Sequence, residues 1–348
     1  FIVIIMTVRY NLQFIRWFLS SSLLSLYLIH PTHGFYSTHQ KSYTTRPTSF
    51  LSALSERQMQ FWEDVDEGLN DIEAFYVSSK GLNIDRVRQF SKSAQGLIPP
   101  PNPSAPDHQP SEEHIEGLSA KPFWDIQIDE GDDRVFPWAA KLEANYEVIL
   151  RELESKLIRD QQLFMTDSVW QNQVMGDGWS AIRLQRLGVW NPDVCQDFPE
   201  TFQLLRSLSI PLAVRGVCFA RQAPGTGVQP HSDGRNFILT AHLGLMIPPG
   251  CWIQVAKERR TWEVGKLTIL DTSFEHSTGN PTDSDRHVLI LDFWHPDLTE
   301  AERAALEFVY DLRNKFESGK VPFRVPKAMQ EGKQGGLQTL WSNLMGSS

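Results

Sequence analysis

From about Leu163 onward the chain is written in short apolar runs separated by turn signals, and this texture constrains its fold more than any other feature. Trp252–Val255, Lys266–Leu270 and His287–Phe293 are such runs, and Pro-Pro-Gly, Glu-Val-Gly and Gly-Asn-Pro segments punctuate them. Within Lys266–Leu270, Leu267 and Ile269 alternate with Lys266 and Thr268, the two-residue period of a half-buried strand. Several strands with no helical pattern between them predict an antiparallel barrel or sandwich, so the chain reads as mainly β.

Helical patterns flank this region. Trp62, Val65, Leu69, Ile72 and Phe75 recur at three- and four-residue steps. A second helix is expected after Phe136-Pro137, with Trp138, Leu142, Tyr146, Ile149 and Leu153 on one face and the proline at its entrance. Thr299-Glu300-Ala301-Glu302 reads as a capping box that opens a closing helix with Leu306, Val309, Tyr310 and Phe316 on its apolar side. Prolines at 99, 100, 101, 103, 106 and 110 mark Leu97–Ala120 as a linker. Within it Glu112-Glu113-His114 reads as a solvated charged run.

The first fifty-odd residues differ from the rest. No acidic residue precedes Glu56, while Arg9, Arg16, Lys41 and Arg46 are present. Trp17–Ile29 is almost wholly apolar or serine and suits a signal core better than a membrane span of about 20 residues. Phe1–Val8 either extends an anchor or lies upstream of a start at Met6, and Tyr36–Ser52 is rich in Ser and Thr. The expectation is targeting to the secretory pathway and endoplasmic reticulum, as a cleaved signal or single membrane anchor, with a plastid signal as the alternative. The expected organisation is therefore a targeting segment (1–52), a helical region (53–96), a Pro-rich linker (97–120), a catalytic domain (121–320) and a tail (321–348). A net charge of −9 with no basic stripe argues against a nucleic-acid partner. Cys195, Cys218 and Cys251 are too few and scattered for a disulfide framework or structural zinc and read as buried small hydrophobes, with a Cys195–Cys218 pair in an oxidising lumen as the alternative.

One constellation carries chemistry. In Pro230-His231-Ser232-Asp233, residues two apart on a strand face the same side, so His231 and Asp233 share a face. His276 ends a strand-like run from Leu267. Two imidazoles and one carboxylate form a facial triad for iron(II), with open positions left for other ligands. Arg286, ten residues past His276, has the spacing of the next strand of a hairpin, and its guanidinium can hold a carboxylate bidentately. Asp292 and His295 read as turn or cap hydrogen-bonding residues. Asp271 or Glu275 could orient a ligand imidazole, or both are plain loop positions.

Longer blocks resemble one family. His242-Leu-Gly-Leu-Met-Ile-Pro-Pro, Thr261-Trp-Glu-Val-Gly-Lys, Asp271-Thr-Ser-Phe-Glu-His276 and Phe293-Trp-His-Pro-Asp-Leu-Thr are similar to the aspartyl/asparaginyl β-hydroxylase catalytic domain. So are Lys121-Pro-Phe-Trp, Phe136-Pro-Trp and Glu143-Ala-Asn-Tyr-Glu-Val-Ile, and the likeness runs from about Lys121 to Leu306. The resemblance implies a double-stranded β-helix (jelly roll), iron(II), 2-oxoglutarate as cosubstrate and O2. It implies that His231 and His276 are iron ligands, that His242 and Arg286 contact 2-oxoglutarate, and that Trp179 lies near that site. Pro224-Gly-Thr226 resembles the loop before the first ligand strand.

The chain departs from the animal members at three positions. They carry glycine at the place of Asp233, arginine at that of Thr240 and serine at that of Ala220, while bacterial relatives that hydroxylate lipid acyl chains keep the full triad. The expected activity is hydroxylation of a C–H bond on Asp or Asn of a peptide or protein. A lipid acyl chain or small molecule is the alternative substrate. A non-catalytic cupin-like metal- or ligand-binding module is the alternative of a different class.

Overall fold

The structure, a computed structural model, describes residues 55–105, 107–108, 113–126, 136–160, 163–164, 175–176 and 178–327. The expected targeting segment, and the expected tail beyond Lys327, lie outside the described residues.

Among the described residues, eleven strands form two antiparallel sheets. They are β1 (Phe123–Trp124), β2 (Trp179–Arg186), β3 (Val189–Trp190), β4 (Leu212–Gln222), β5 (Thr226–His231), β6 (Ile238–Met246), β7 (Trp252–Val255), β8 (Glu258–Arg260), β9 (Leu267–Leu270), β10 (His276–Asn280) and β11 (Arg286–Trp294). The larger sheet has the order β1-β9-β6-β11-β4-β2-β3 and the smaller β5-β10-β7-β8. The last eight strands pair in a nested way: β4 with β11, β5 with β10, β6 with β9, and β7 with β8. A long hairpin folded over on itself gives this pairing, which is the jelly-roll wind of a double-stranded β-helix. Apolar residues fill the layer beneath the larger sheet, among them Leu184, Phe219, Leu243, Ile269 and Leu291. The alternation of Leu267 and Ile269 with Thr268 appears as expected, both apolar residues being buried.

The flanking helices are α1 (Glu56–Lys80), α2 (Asp85–Ala94), α3 (Ala139–Ala144), α4 (Tyr146–Arg159), α5 (Pro192–Cys195), α6 (Pro199–Ser207) and α7 (Glu300–Glu317). Ser55 and Gln58 form a capping box at the start of α1, and Gly81, at φ 68°, ends it in the left-handed conformation that glycine adopts without penalty. Trp62, Val65 and Leu69 of α1 pack with Leu306, Val309 and Tyr310 of α7, whereas Phe75 is exposed. The single helix expected after Pro137 breaks at Asn145 into α3 and α4. The Thr299–Glu302 capping box is present. Among the described residues no helix is long and apolar enough to cross a membrane.

Two expectations are corrected, and the alternative Cys195–Cys218 pair is not formed. The described part of 97–120 does not hang free, since His108, His114, Ile115 and Leu118 are buried. Glu113 is no solvated charge: Arg235 and Arg313 (2.7 Å) both pair with its carboxylate and Tyr310 donates to it at 3.3 Å. Cys195, Cys218 and Cys251 are all free thiols, because Cys195 sits in the large core and donates to the Leu184 carbonyl at 3.6 Å.

Burial alone would push the Glu113 carboxyl up, but Arg235 and Arg313 hold it at about 2. A folded value below the ordinary carboxylate range contributes stability that is present at neutral pH and is lost as pH falls toward about 2. Glu113→Gln should therefore cost about 1.5–3 kcal/mol at pH 7. The gap in Tm between wild type and variant should narrow as the pH drops below about 4.5, and a pH-independent gap in thermal melts would refute this account.

Candidate metal centre

His231 is the last residue of β5 and His276 the first of β10, and the antiparallel register sets them directly opposite one another. Their ring centroids are 4.2 Å apart. Asp233 lies past the end of β5, where its backbone N–H donates to the Thr272 carbonyl at 2.8 Å. Its Oδ1 is 3.7 Å from His231 Nε2. Ligand atoms of His231, Asp233 and His276 all fall within 4.8 Å of one another.

The ring orientations suit a metal. His231 Nδ1 contacts the Gln229 carbonyl at 2.8 Å and His276 Nδ1 contacts the Phe274 carbonyl at 3.0 Å. A carbonyl only accepts, so each ring donates from Nδ1 and turns Nε2 toward its neighbours. His231 Nε2 is buried and has no hydrogen-bond partner. Burial pushes His276 down to about 4, against the opposing pull of Asp233, so its imidazole is neutral at ordinary pH. Burial would raise the Asp233 carboxyl, but Arg215, His276 and His231 hold it well below the usual range. An orphaned imidazole nitrogen, a second neutral imidazole and an ionised carboxylate together fit a divalent first-row metal.

The path to His276 differs from the one expected. β9 ends at Leu270, residues 271–275 turn, and His276 starts β10 in the other sheet. β10 and β11 are likewise not hairpin partners: β10 pairs with β5 and β7, and β11 with β4 and β6. Arg286 therefore sits in the larger sheet and His276 in the smaller, and Gln222 joins them. Gln222 Oε1 accepts from Arg286 Nη2 at 2.6 Å and from Thr278 Oγ1 at 3.1 Å, and Thr278 lies two residues along β10 from His276.

Arg286 is 1% exposed. Its Nε has no hydrogen-bond partner, and no carboxylate of the described residues pairs with it. The indole of Trp262 lies 4.5 Å from the guanidinium carbon. Burial lowers this arginine to about 10, the sign of a cation short of a counter-charge. Trp262 also donates to His242 Nδ1 at 3.2 Å. Burial, with Arg286 nearby, lowers His242 to about 3, so the neutral ring carries its proton on Nε2 as a donor. Trp179 opens β2 opposite Gln222, which itself stands opposite Arg286, so the three form one row across the larger sheet.

Other expectations separate here. Asp292 is more than a cap residue: it accepts from Thr240 Oγ1 at 2.6 Å and lies 3.2 Å from Arg215 Nη2. His295 is structural, bound to the Ser119 carbonyl at 2.9 Å and to the Asp297 N–H at 3.1 Å. Asp271 accepts from the Ser273 N–H (2.9 Å) and hydroxyl (2.6 Å), and Glu275 is exposed. No hydrogen bond joins either of them to a ligand imidazole. Arg215, Gln222 and Trp262 carry much of the site and were not singled out from the sequence. Arg215 had a usable signal, a lone charge beside Gly216 in the apolar run Leu212–Phe219.

Residues 143–296 match the family model for aspartyl/asparaginyl beta-hydroxylase. An aspartyl/asparaginyl beta-hydroxylase of Mus musculus is 37% identical over 182 residues, which covers 49% of this chain and 25% of that protein. The aspartate beta-hydroxylase domain-containing protein 2 of Homo sapiens is 31% identical over 175 residues, covering 49% of this chain and 47% of that one. The chain thus spans between a quarter and about half of these relatives' lengths. A prolyl hydroxylase from Trichoplax adhaerens, solved with a hypoxia inducible factor peptide, shares 14% identity at a TM-score of 0.33, covering 46% of this chain and 81% of that one. With the matched blocks and the jelly-roll strand order both in place, residues 143–296 are similar to the aspartyl/asparaginyl β-hydroxylase family.

Proposed function

We propose that this protein is an iron(II)- and 2-oxoglutarate-dependent dioxygenase that hydroxylates a C–H bond on Asp or Asn residues of a peptide or protein. The observation that carries the reading is the coexistence of a His-Asp-His cluster whose ligand atoms lie within 4.8 Å of one another and a buried Arg286 that no carboxylate of the described residues pairs with. A metal with a dicarboxylate cosubstrate answers both. The hydroxylase names of the relatives support the reaction class, and those named for aspartyl and asparaginyl residues support the substrate.

His231, Asp233 and His276 would hold the iron. Bound iron, with 2-oxoglutarate and O2, supplies the oxidising equivalent for hydroxylation, with succinate and carbon dioxide as coproducts. The chain's own groups do the positioning. The carbonyls of Gln229 and Phe274 fix both imidazole tautomers, and Trp262 holds His242 with its proton on Nε2. Arg286, steadied by Gln222, offers its remaining N–H groups to a distal carboxylate in a dry setting where a charge-assisted bond is strong. Trp179 walls the same row. Delivery to the secretory pathway goes with this reading and rests on the apolar run Trp17–Ile29 and the acid-free stretch around it.

His276→Ala should abolish iron(II) binding in anaerobic titrations and stop succinate formation, since two ligands would remain. Near wild-type succinate production by that variant would remove the metal assignment. Arg286→Gln should leave metal content unchanged and raise the KM for 2-oxoglutarate about 10- to 100-fold, as expected for a lost charge-assisted pair of about 1.5–3 kcal/mol. An unaltered KM would move the carboxylate anchor elsewhere, with His242 the next residue to test. If wild type forms no succinate from iron(II) and 2-oxoglutarate with any peptide or lipid offered, yet binds the metal, the fold is serving as a binding module.

A further inference from the structure

The sheet that carries the site contains a bulge with an arginine at its apex. β4 runs regularly against β11 from Gln222 to Val217, and then six residues of β4, Leu212–Val217, stand against only Leu291–Phe293. Gly216 takes φ 80° within the bulge, and a Cβ there would lie 2.1 Å from the Gln185 carbonyl oxygen. Only glycine fits such a position. Bulges of this kind bend a strand and re-aim a side chain. Here the side chain is Arg215.

Its guanidinium reaches four groups on separate segments. Nη1 binds Asp233 Oδ2 in a short ion pair. Nη2 donates to Thr240 Oγ1 at 3.2 Å on β6 and to Thr272 Oγ1 at 3.0 Å in the turn before His276, and lies 3.2 Å from Asp292 Oδ1 on β11. The two oxygens of Asp233 are thereby divided. Oδ2 is taken by Arg215, and Oδ1 is the one that faces His231 Nε2 at 3.7 Å.

We propose that Arg215 is the positioning residue of the metal centre: by taking Oδ2 of Asp233 it presents Oδ1 alone, so that the carboxylate binds metal through one oxygen. The inference rests on the metal reading above. A carboxylate that binds through one oxygen occupies one coordination position, which leaves room for a chelating cosubstrate on a six-coordinate metal. Freed from Arg215, Asp233 can turn both oxygens to the metal and take a position the cosubstrate needs. Thr272 strengthens the assignment, because its hydroxyl accepts from Arg215 while its carbonyl accepts the Asp233 N–H at 2.8 Å, clamping the ligand residue at backbone and side chain.

The test uses manganese(II), which is stable in air when bound by such ligands and supports no turnover. Crystal structures of the manganese-loaded wild type should show Asp233 bound through Oδ1 with Arg215 still on Oδ2. In Arg215→Gln the carboxylate should chelate through both oxygens or swing away. Calorimetry with the manganese-loaded proteins should then show 2-oxoglutarate binding about 10- to 100-fold weaker in the variant. Arg215→Lys keeps the charge but not the planar fork. It should show the same altered carboxylate, and it serves as the test if the glutamine variant does not fold. One-oxygen binding that persists in both variants, or a wild type whose Arg215–Asp233 pair breaks on metal binding, would overturn the proposal. A wild type that binds no metal would instead overturn the metal reading itself.

Discussion

The register between β5 and β10 is the constraint on which the site depends. It sets His231 opposite His276, and a slip of one residue would turn one of the rings to the other face of the sheet. The register is pinned farther along the same strand pair. Asn280, fully buried opposite Thr226, sets its two Nδ2 hydrogens among the carbonyls of Gln222 (3.0 Å), Ala223 (3.1 Å) and Ser284 (2.8 Å), one N–H being shared, and accepts from Cys251 Sγ at 3.2 Å. With every polar atom of that side chain committed, β10 has one seat beside β5. The jelly-roll wind then pairs β11 with β4 in the larger sheet and sets Arg286 beside Gln222, which reaches Thr278 of the smaller sheet.

Two arginines are set into this sandwich under opposite rules. Arg215 lies among carboxylates, Asp233 and Asp292, and two threonine hydroxyls. Arg286 is more deeply buried, yet has one amide oxygen and one indole face for company. Burying a guanidinium without a counter-ion costs several kcal/mol, and a structure tolerates that cost where a ligand later supplies the charge. Arg215 has the surroundings of a structural cation and Arg286 those of a receptor.

Much of this was legible in the sequence, for reasons that can be traced to particular residues. Leu267 and Ile269 declare a strand by their period, and Thr299 with Glu302 declares a helix start by local hydrogen bonding. His231, Asp233 and His276 were legible because a metal needs those residue types, wherever the chain carries them. What was not legible depends on partners distant in sequence. The spacing from His276 to Arg286 is the same whether the two strands pair in one ladder or arch between two sheets, and the structure shows the arch. Arg215 reads as a lone charge in a strand until the bulge at Gly216 shows where it points. The proline-rich segment reads as a linker because proline forbids helix and ladder, but that does not forbid burial of the His108, Ile115 and Leu118 side chains.

That segment also bears on how loops can carry one candidate ligand, Asp233, and deliver another, His276. Asp233 lies beyond the end of β5, and the turn 271–275 delivers His276, so neither loop is held by a ladder of its own. One is braced by His108 and the other by Glu113 and Ile115. His108 forms a short hydrogen bond to the Ser273 hydroxyl and stacks on Phe274 with ring centroids 4.6 Å apart. A few residues on, Glu113 pairs with Arg235, and the Ile115 N–H donates to Asn236 Oδ1 at 2.8 Å. Asn236 Nδ2 returns a bond to the Ile115 carbonyl at 2.7 Å. Between the two braced loops, Ser232 Oγ donates to the Ser273 carbonyl at 2.6 Å. A metal site tolerates little play in its ligands. Here the rigidity that strands would have given the two loops comes instead from His108 against one loop and from Glu113 and Ile115 against the other.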